Sequence, residues 1–502
     1  MLITILVYLA AMVGIGAVLA KQNQTTDDFY LGGRTLGPLV TAMSAEASDM
    51  SSWLLMGLPG VAYLSGTADA AWTAIGLAIG TYVNWLVVAK RLRNYTHVCG
   101  NSTTLPLFFS NRYRDNKRIL SVIAALLIII FFVPYTASGF AACGKLFANL
   151  FGMDYLPAML ISAIVIVAYT TLGGFLAAST TDFVQSSVMT IAIVVVFGFG
   201  ISKVGSFSAV MDNAKSMAGY FSLTHTHDVA TGTASPYSLL QIFSTLAWGL
   251  GYFGMPHVLL RFMAIGDANK LKLSRRVATV WVVISMAVSV LIGVIGNAMT
   301  KAGVLPTLKD PETIILVVAD LISKHGVLAT IIAGLILAGI LAATMSTADS
   351  QLLAASSSAS QNILKEVFMK DMSEKTGMLI ARITVLVIAL IGVFIARNPD
   401  SSVFQIVSFA WAGFGASFGP LVLLALFWKR STFQGALCGM VSGGVMVFVW
   451  KFLIRPMGGA LGIYELLPAF LLGLAVNVIV SLLTPAPSRE VQDEFDKVAS
   501  MK

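Results

Sequence analysis

The chain has 502 residues, 57% hydrophobic and 11% charged, with a mean hydropathy of +0.85 and a formal net charge of +8. Soluble domains carry about 25% charged residues, so this composition describes a polytopic membrane protein and excludes a water-soluble globular domain. The basic residues fall in short loops between apolar runs, which argues against nucleic-acid binding, and Cys99, Cys143 and Cys438 are too scattered for a disulfide framework or a metal site.

A membrane crossing takes about 20 mostly apolar residues. Thirteen segments meet that length: 2–20, 37–64, 71–89, 119–143, 155–174, 183–203, 237–264, 277–300, 327–357, 377–396, 402–428, 433–454 and 463–484. The first has Lys21 behind it and no charge before it, the reverse of a signal peptide, and is expected to remain as a membrane helix. Arg34 precedes the second segment and reads as an anchor at the lipid interface. The second segment then carries Ser44, Glu46, Ser48, Asp49, Ser51 and Ser52 in hydrocarbon, followed by Gly57 and Pro59. Acids at that depth face a bundle interior or a water-filled cavity, and glycine and proline leave backbone groups free. Tyr135 follows Pro134 in the fourth segment as a polar-tipped aromatic at mid-membrane depth.

Asp182 opens the sixth segment and reads either as a helix N-cap or as a functional acid. The loop after it holds His225, His227 and Asp228, a metal-like triplet in a hydrophilic outer position. In the seventh segment, 248–257 contains three glycines and a proline, so a regular helix is interrupted there. Trp248, Tyr252 and Pro256 share one face across that break, and His257 follows it as a solvated or hydrogen-bonded histidine. Residues 311–323 are apolar but short and are expected to form an outer helix. On the ninth segment Ala343, Ser346, Thr347 and Ser350 form a polar face beside Asp349. Hydroxyls there, with carbonyls freed by the break in the second segment, are the hard oxygens that sodium prefers.

Two interrupted segments five apart, entering from opposite sides, point to two inverted halves: segments 2–6 (37–203) and 7–11 (237–428), with the first segment and the last two (433–484) peripheral. Lysine and arginine orient the chain, since 23 of 32 fall on one side when the N-terminus is outside and the C-terminus cytoplasmic. No P-loop appears, so transport draws on an ion gradient, and no nucleophile, base and orienting residue group together for catalysis.

The stretches Tyr30–Arg34, Ala47–Ser51, Trp53–Gly60, Gly249–Gly254, Pro256-His257, Arg261–Met263, Met345–Thr347 and Ala410–Gly415, in this order over nearly the whole length, resemble the solute:sodium symporter family and most closely its sodium/proline symporters. The resemblance implies an all-α membrane protein of about thirteen helices with a five-plus-five inverted-repeat, LeuT-like core. It implies symport of Na+ with L-proline across a bacterial-type inner membrane, with no enzyme activity and no obligate protein partner. One sodium is expected on the carbonyls of Ala47, Met50 and Ala343 and the hydroxyls of Ser346 and Thr347, with Asp49 and Ser51 coupling ion to substrate. Trp248, Tyr252, Pro256 and Tyr135 correspond to the proline pocket. Asp182, Asp349 and Ser350 match positions that hold a second sodium in some relatives, and here the two acids read as a site for a cation or a proton. Glu46 and Ser52 stand where the proline carriers have glycine, Met255 where they have glutamine, and Asp349 where they have a neutral residue. Proline is the leading solute, and Glu46, beside the expected substrate site, carries the alternative of another amino acid or small organic solute, including a cation-bearing one.

Overall fold

The computed structural model describes residues 1–20, 25–369, 372–398 and 402–501. It is 83% helical, and among the described residues ten helices are long and apolar enough to cross a membrane. Of the remaining predicted crossings, 37–64 and 237–264 are built from pieces, each too short alone, and 155–174 runs into 183–203 as one helix, so the expected thirteen is not a count of continuous helices.

In chain order the structure runs through α1 (Leu2–Ala20), α2 (Pro38–Ser52), α3 (Leu58–Ser65), α4 (Thr67–Val83), α5 (Ile119–Phe151) and α6 (Tyr155–Val204). It continues through α7 (Leu239–Leu246), α8 (Pro256–Ala264), α9 (Leu271–Lys301), the short α10 (Ile314–Ser323), α11 (Val327–Ser357), α12 (Glu374–Ala396) and α13 (Val403–Phe427). Helices α14 (Phe433–Val449) and α15 (Leu466–Leu483) pack on each other and on α13. The centre of the bundle is α11, buried at every residue from Ile336 to Ser357 and packed against α2, α5 and α6. Apart from Asp349 and Gln351 its sequence is apolar or small on all sides, as a helix without a solvent face requires.

Both predicted interruptions are present. Between α2 and α3 the backbone turns at Ser51 (φ 48°, ψ −171°) and then widens over Trp53–Gly57. Between α7 and α8 it tightens over Ala247–Phe253 and passes through an extended Met255 before Pro256 restarts a helix. Gly80 of α4 lies against Gly249 of this second break, and a Cβ on either would strike the other strand of backbone. Small residues are thus what let α4 approach the unwound segment.

Two expectations change, and the stretch 90–118 between the third and fourth segments is largely helical, because α4 runs on through a widened turn into Ala89–Val98, and Thr104 then caps Leu105–Arg112. Segments 155–174 and 183–203 are one helical run with a kink at Gly174 (φ 63°), so Asp182 is no N-cap: it lies two turns past the kink, with no free amides to receive it. Arg34 is not a lipid anchor. Its guanidinium reaches Met263 O (2.6 Å), Ser102 O (2.8 Å) and Asn101 Oδ1 (3.1 Å), tying the start of α2 to the ends of α8 and of the helix after α4.

Candidate functional site

At Ser51 the positive φ takes the backbone out of the helix, a conformation that costs a non-glycine residue of order 1–3 kcal/mol and is held by its surroundings. Ser51 Oγ accepts the Trp53 amide at 3.0 Å, which stabilises the turn locally. Just before it, α2 presents its backbone to α11. Ser346 Oγ lies 2.9 Å from Ala47 O and 3.2 Å from Ala343 O, and Thr347 Oγ1 lies 3.5 Å and 3.1 Å from the same two oxygens. Four of the five candidate sodium ligands therefore converge. Met50, on the same turn, is buried, and its carbonyl accepts the Trp53 amide. The converging set is of neutral hard oxygens, and hydroxyls rotate to offer a lone pair, so these donors fit a small monovalent cation.

Beside this crossing, Tyr135 donates to Asp49 O (3.0 Å) and Tyr252 donates to Asp49 Oδ2 (2.6 Å), bringing α5, α2 and the second break together. Trp248 is enclosed by Trp53 (ring centroids 5.5 Å apart), Phe404 (5.6 Å) and Tyr464 (5.1 Å), and its carbonyl accepts Trp411 Nε1 at 2.7 Å. An open cavity of about 280 Å³ ends on Trp248, Phe404 and Tyr464 and is walled by Asp69, Tyr237, Gln241 and Arg455. A larger one, about 1000 Å³, lies among residues 100–118 and 361–366, away from every candidate site residue. Pro256 is buried at the start of α8. His257 is also buried, packed 5.6 Å from Phe132 and beside the Ser48 backbone, so it is not solvated.

One turn below Asp49, Glu46 Oε1 accepts the Trp85 indole N–H at 2.9 Å. Further along, Asp182, Asp349 and Ser350 surround the guanidinium of Arg261, which is 1% exposed. Arg261 reaches Asp182 Oδ2 (3.2 Å), Ser350 Oγ (2.5 Å), Ser44 Oγ (3.0 Å) and His257 O (3.0 Å); Ser350 in turn bonds Asp349 Oδ1 (3.2 Å). At the opposite end of the bundle, Lys145 pairs with Glu312 (2.9 Å) and Asp310 (2.8 Å), and Glu312 caps the first amides of α13 at Val403 and Phe404 (3.1 Å each). The triplet His225, His227 and Asp228 lies on a two-stranded hairpin, and among the described residues no three histidine, cysteine, aspartate or glutamate side chains come together as a metal site.

Sequence reasoning did not single out Arg261, Trp85, Phe404, Trp411 or Tyr464 as parts of the site. Asn84-Trp85 inside an apolar run was the one local signal; the others are placed only by packing.

Broken helices that bring carbonyls, hydroxyls and buried acids together at the centre of a membrane bundle define an ion-coupled secondary transporter. The sodium:solute symporter family model matches residues 29–443. The chain is 40% identical to the osmoregulated proline transporter OpuE of Bacillus subtilis over 489 residues, 97% of this chain and 96% of that one. It is 41% identical to the sodium/proline symporter of Escherichia coli over 500 residues, 99% and 95% of the two chains. Its fold is shared with a Na+-coupled sialic acid symporter in a substrate-bound outward-open state (TM-score 0.78, 19% identity, 97% and 98% covered). It is shared more distantly with MhsT in complex with L-phenylalanine (TM-score 0.54, 12% identity, 89% and 99% covered). The chain belongs to the sodium:solute symporter family; it is a multi-pass, LeuT-like membrane transporter and no enzyme, with sodium as its coupling ion.

Proposed function

We propose that this protein takes up L-proline with sodium by alternating access, the two inverted halves being 37–203 and 237–428 and the helices of 433–484 standing outside them. The observation that carries the reading is the meeting of Ser346 and Thr347 with Ala47 O beside the Ser51 break, directly below an aromatic enclosure. Sodium is held there by the carbonyls of Ala47, Met50 and Ala343 and the two hydroxyls, which fixes α2 against α11. Because Asp49 and Ser51 sit on the same stretch as Ala47, closing the ion site orders the substrate site. Trp248, Tyr252, Pro256 and Tyr135 cover the apolar pyrrolidine ring, and the relatives' substrate supports proline as the solute.

The N-terminus lies outside and the C-terminus in the cytoplasm. Arg261 is buried in the bundle and drops out of the loop charges, yet the lysine and arginine excess still favours this orientation. Arg34 then closes the cytoplasmic side and Lys145–Glu312 the outer side.

Uptake of a panel of labelled amino acids into proteoliposomes under sodium, lithium or proton gradients tests the reading. Sodium-driven proline accumulation is expected. Accumulation of another solute in preference to proline, or proline uptake driven equally without sodium, overturns it.

A further inference from the structure

Glu46 and Asp49 are one helical turn apart on α2 and point to the same side. Both are buried, at 1% and 5% exposure. Each has one oxygen satisfied, by Trp85 and by Tyr252, while Glu46 Oε2 and Asp49 Oδ1 have no hydrogen-bond partner. Among the described residues no lysine, arginine or histidine pairs with either carboxylate.

Facing them is one side of α4 and its continuation, with Thr81, Asn84 and Trp85 at helical spacing. Asn84 Nδ2 donates to Tyr252 O at 3.1 Å, but Asn84 Oδ1 is fully buried without a partner. Thr81 is fully buried, and its hydroxyl lies beside the Tyr252 hydroxyl. Asn84 opens a widened helical turn, a local irregularity that recurs at functional sites. Three unsatisfied oxygens, Glu46 Oε2, Asp49 Oδ1 and Asn84 Oδ1, thus belong to side chains linked through Trp85 and Tyr252, and the Trp85 ring packs on Phe262 with centroids 4.4 Å apart.

Two carboxylates out of water each carry a penalty of several kcal/mol, which only a cation or a proton offsets. The lining is oxygen from two carboxylates, an amide and a hydroxyl, a hard set that suits a desolvated monatomic cation. We propose that Glu46, Asp49, Asn84 and Thr81 form a second site for a monovalent metal cation of the sodium class, separate from the oxygens of Ala47, Ser346 and Thr347. The protein then moves two sodium ions per solute. Glu46 is what adds the second site: without it a single acid remains.

The inference rests on the transport reading for its flux arm but not for its binding arm. Equilibrium binding of radioactive sodium to the purified protein without solute is expected to give two ions per chain. Glu46→Gln and Glu46→Gly should each bind one, and Asn84→Leu should weaken one of the two at least tenfold. In proteoliposomes, the reversal potential of proline flux should report two sodium ions per proline for the parent and one for either Glu46 variant. One bound ion in the parent overturns the site, as do two ions retained in both Glu46 variants. A coupled charge that follows a pH gradient instead of the sodium gradient also overturns it, in favour of a proton. Two bound ions without proline flux keep the site and overturn the choice of solute.

Discussion

Two places in this bundle bury a pair of carboxylates, and they are built differently. Around Asp182 and Asp349, the chain provides Arg261, whose guanidinium bonds Asp182, Ser350, Ser44 and the His257 carbonyl and lies 4.9 Å over the Phe175 ring. Around Glu46 and Asp49 the neighbours are indole, phenol, amide and hydroxyl, and no basic side chain pairs with either acid among the described residues. A tethered cation is always present, and in this structure it links α2, α6, α8 and α11. A pair without one is complete only when a cation arrives from solution. The first arrangement is suited to holding the fold, the second to sensing an ion.

The largest effect should come from removing the tethered cation. Arg261→Met leaves Asp182 and Asp349 buried without a counter-charge, which should lower stability by about 3–5 kcal/mol. Thermal unfolding in detergent should show a large fall in midpoint, and adding Asp182→Asn should recover part of it. Glu46→Gln, by contrast, should leave sodium-free stability unchanged or raised. Equal melting of Arg261→Met and the parent breaks the contrast.

Next in size is Trp248→Ala. Losing an indole from an enclosure of Trp53, Phe404 and Tyr464 should cost about 2 kcal/mol in solute binding, roughly thirtyfold in half-saturation, with sodium activation little changed. A shift in sodium affinity as large as that for solute would mean that Trp248 holds the break and not the solute.

Ser346→Ala and Thr347→Ala should each weaken apparent sodium affinity about tenfold, or 1.4 kcal/mol, through loss of one hard oxygen. Wild-type sodium activation curves in both variants would sink the ion site at the α2–α11 crossing.

The smallest expected change is Tyr252→Phe, which removes the hydroxyl bonded to Asp49 but keeps the ring. A loss of about 0.5–1 kcal/mol is expected, the low end for a hydrogen bond, because Asp49 turns toward a bound cation instead. Measured with and without saturating sodium, the variant should lose more solute affinity at low sodium. Equal loss at both concentrations would uncouple Tyr252 from the acid pair.

Much of the site was legible because membrane burial makes polar residues conspicuous. Acids and serines inside the second segment, glycines and a proline inside the seventh, and a Ser-Thr pair on the ninth cannot be read as ordinary lipid-facing helix, and the structure brings all three together. Arg261 is inconspicuous in the sequence because it stands at the end of the seventh segment, ahead of Lys270, Lys272, Arg275 and Arg276, and reads as one more loop charge, whereas the structure buries it to 1% exposure. Asp182 gave the opposite error. Thr180-Thr181-Asp182 has the residues of a helix start, but the run from Gly174 is already helical, so tertiary context overrides the capping signal. The aromatic enclosure was illegible because Phe404, Trp411 and Tyr464 come from distant segments, each unremarkable in its own apolar surroundings.

The sequence by itself determined the membrane class, the two interrupted segments and the chemical character of each polar stretch, since these depend on hydropathy and on the backbone limits of glycine and proline. Only the tertiary structure decided which acid meets which partner. Asp349 could share a cation with Asp182 or accept one from its own chain, and Glu46 could find a basic side chain or none. The choice depends on helix rotation and crossing, a matter of a few ångströms that no local pattern encodes: α8 turns Arg261 toward Asp182, and α4 turns an indole and an amide toward Glu46.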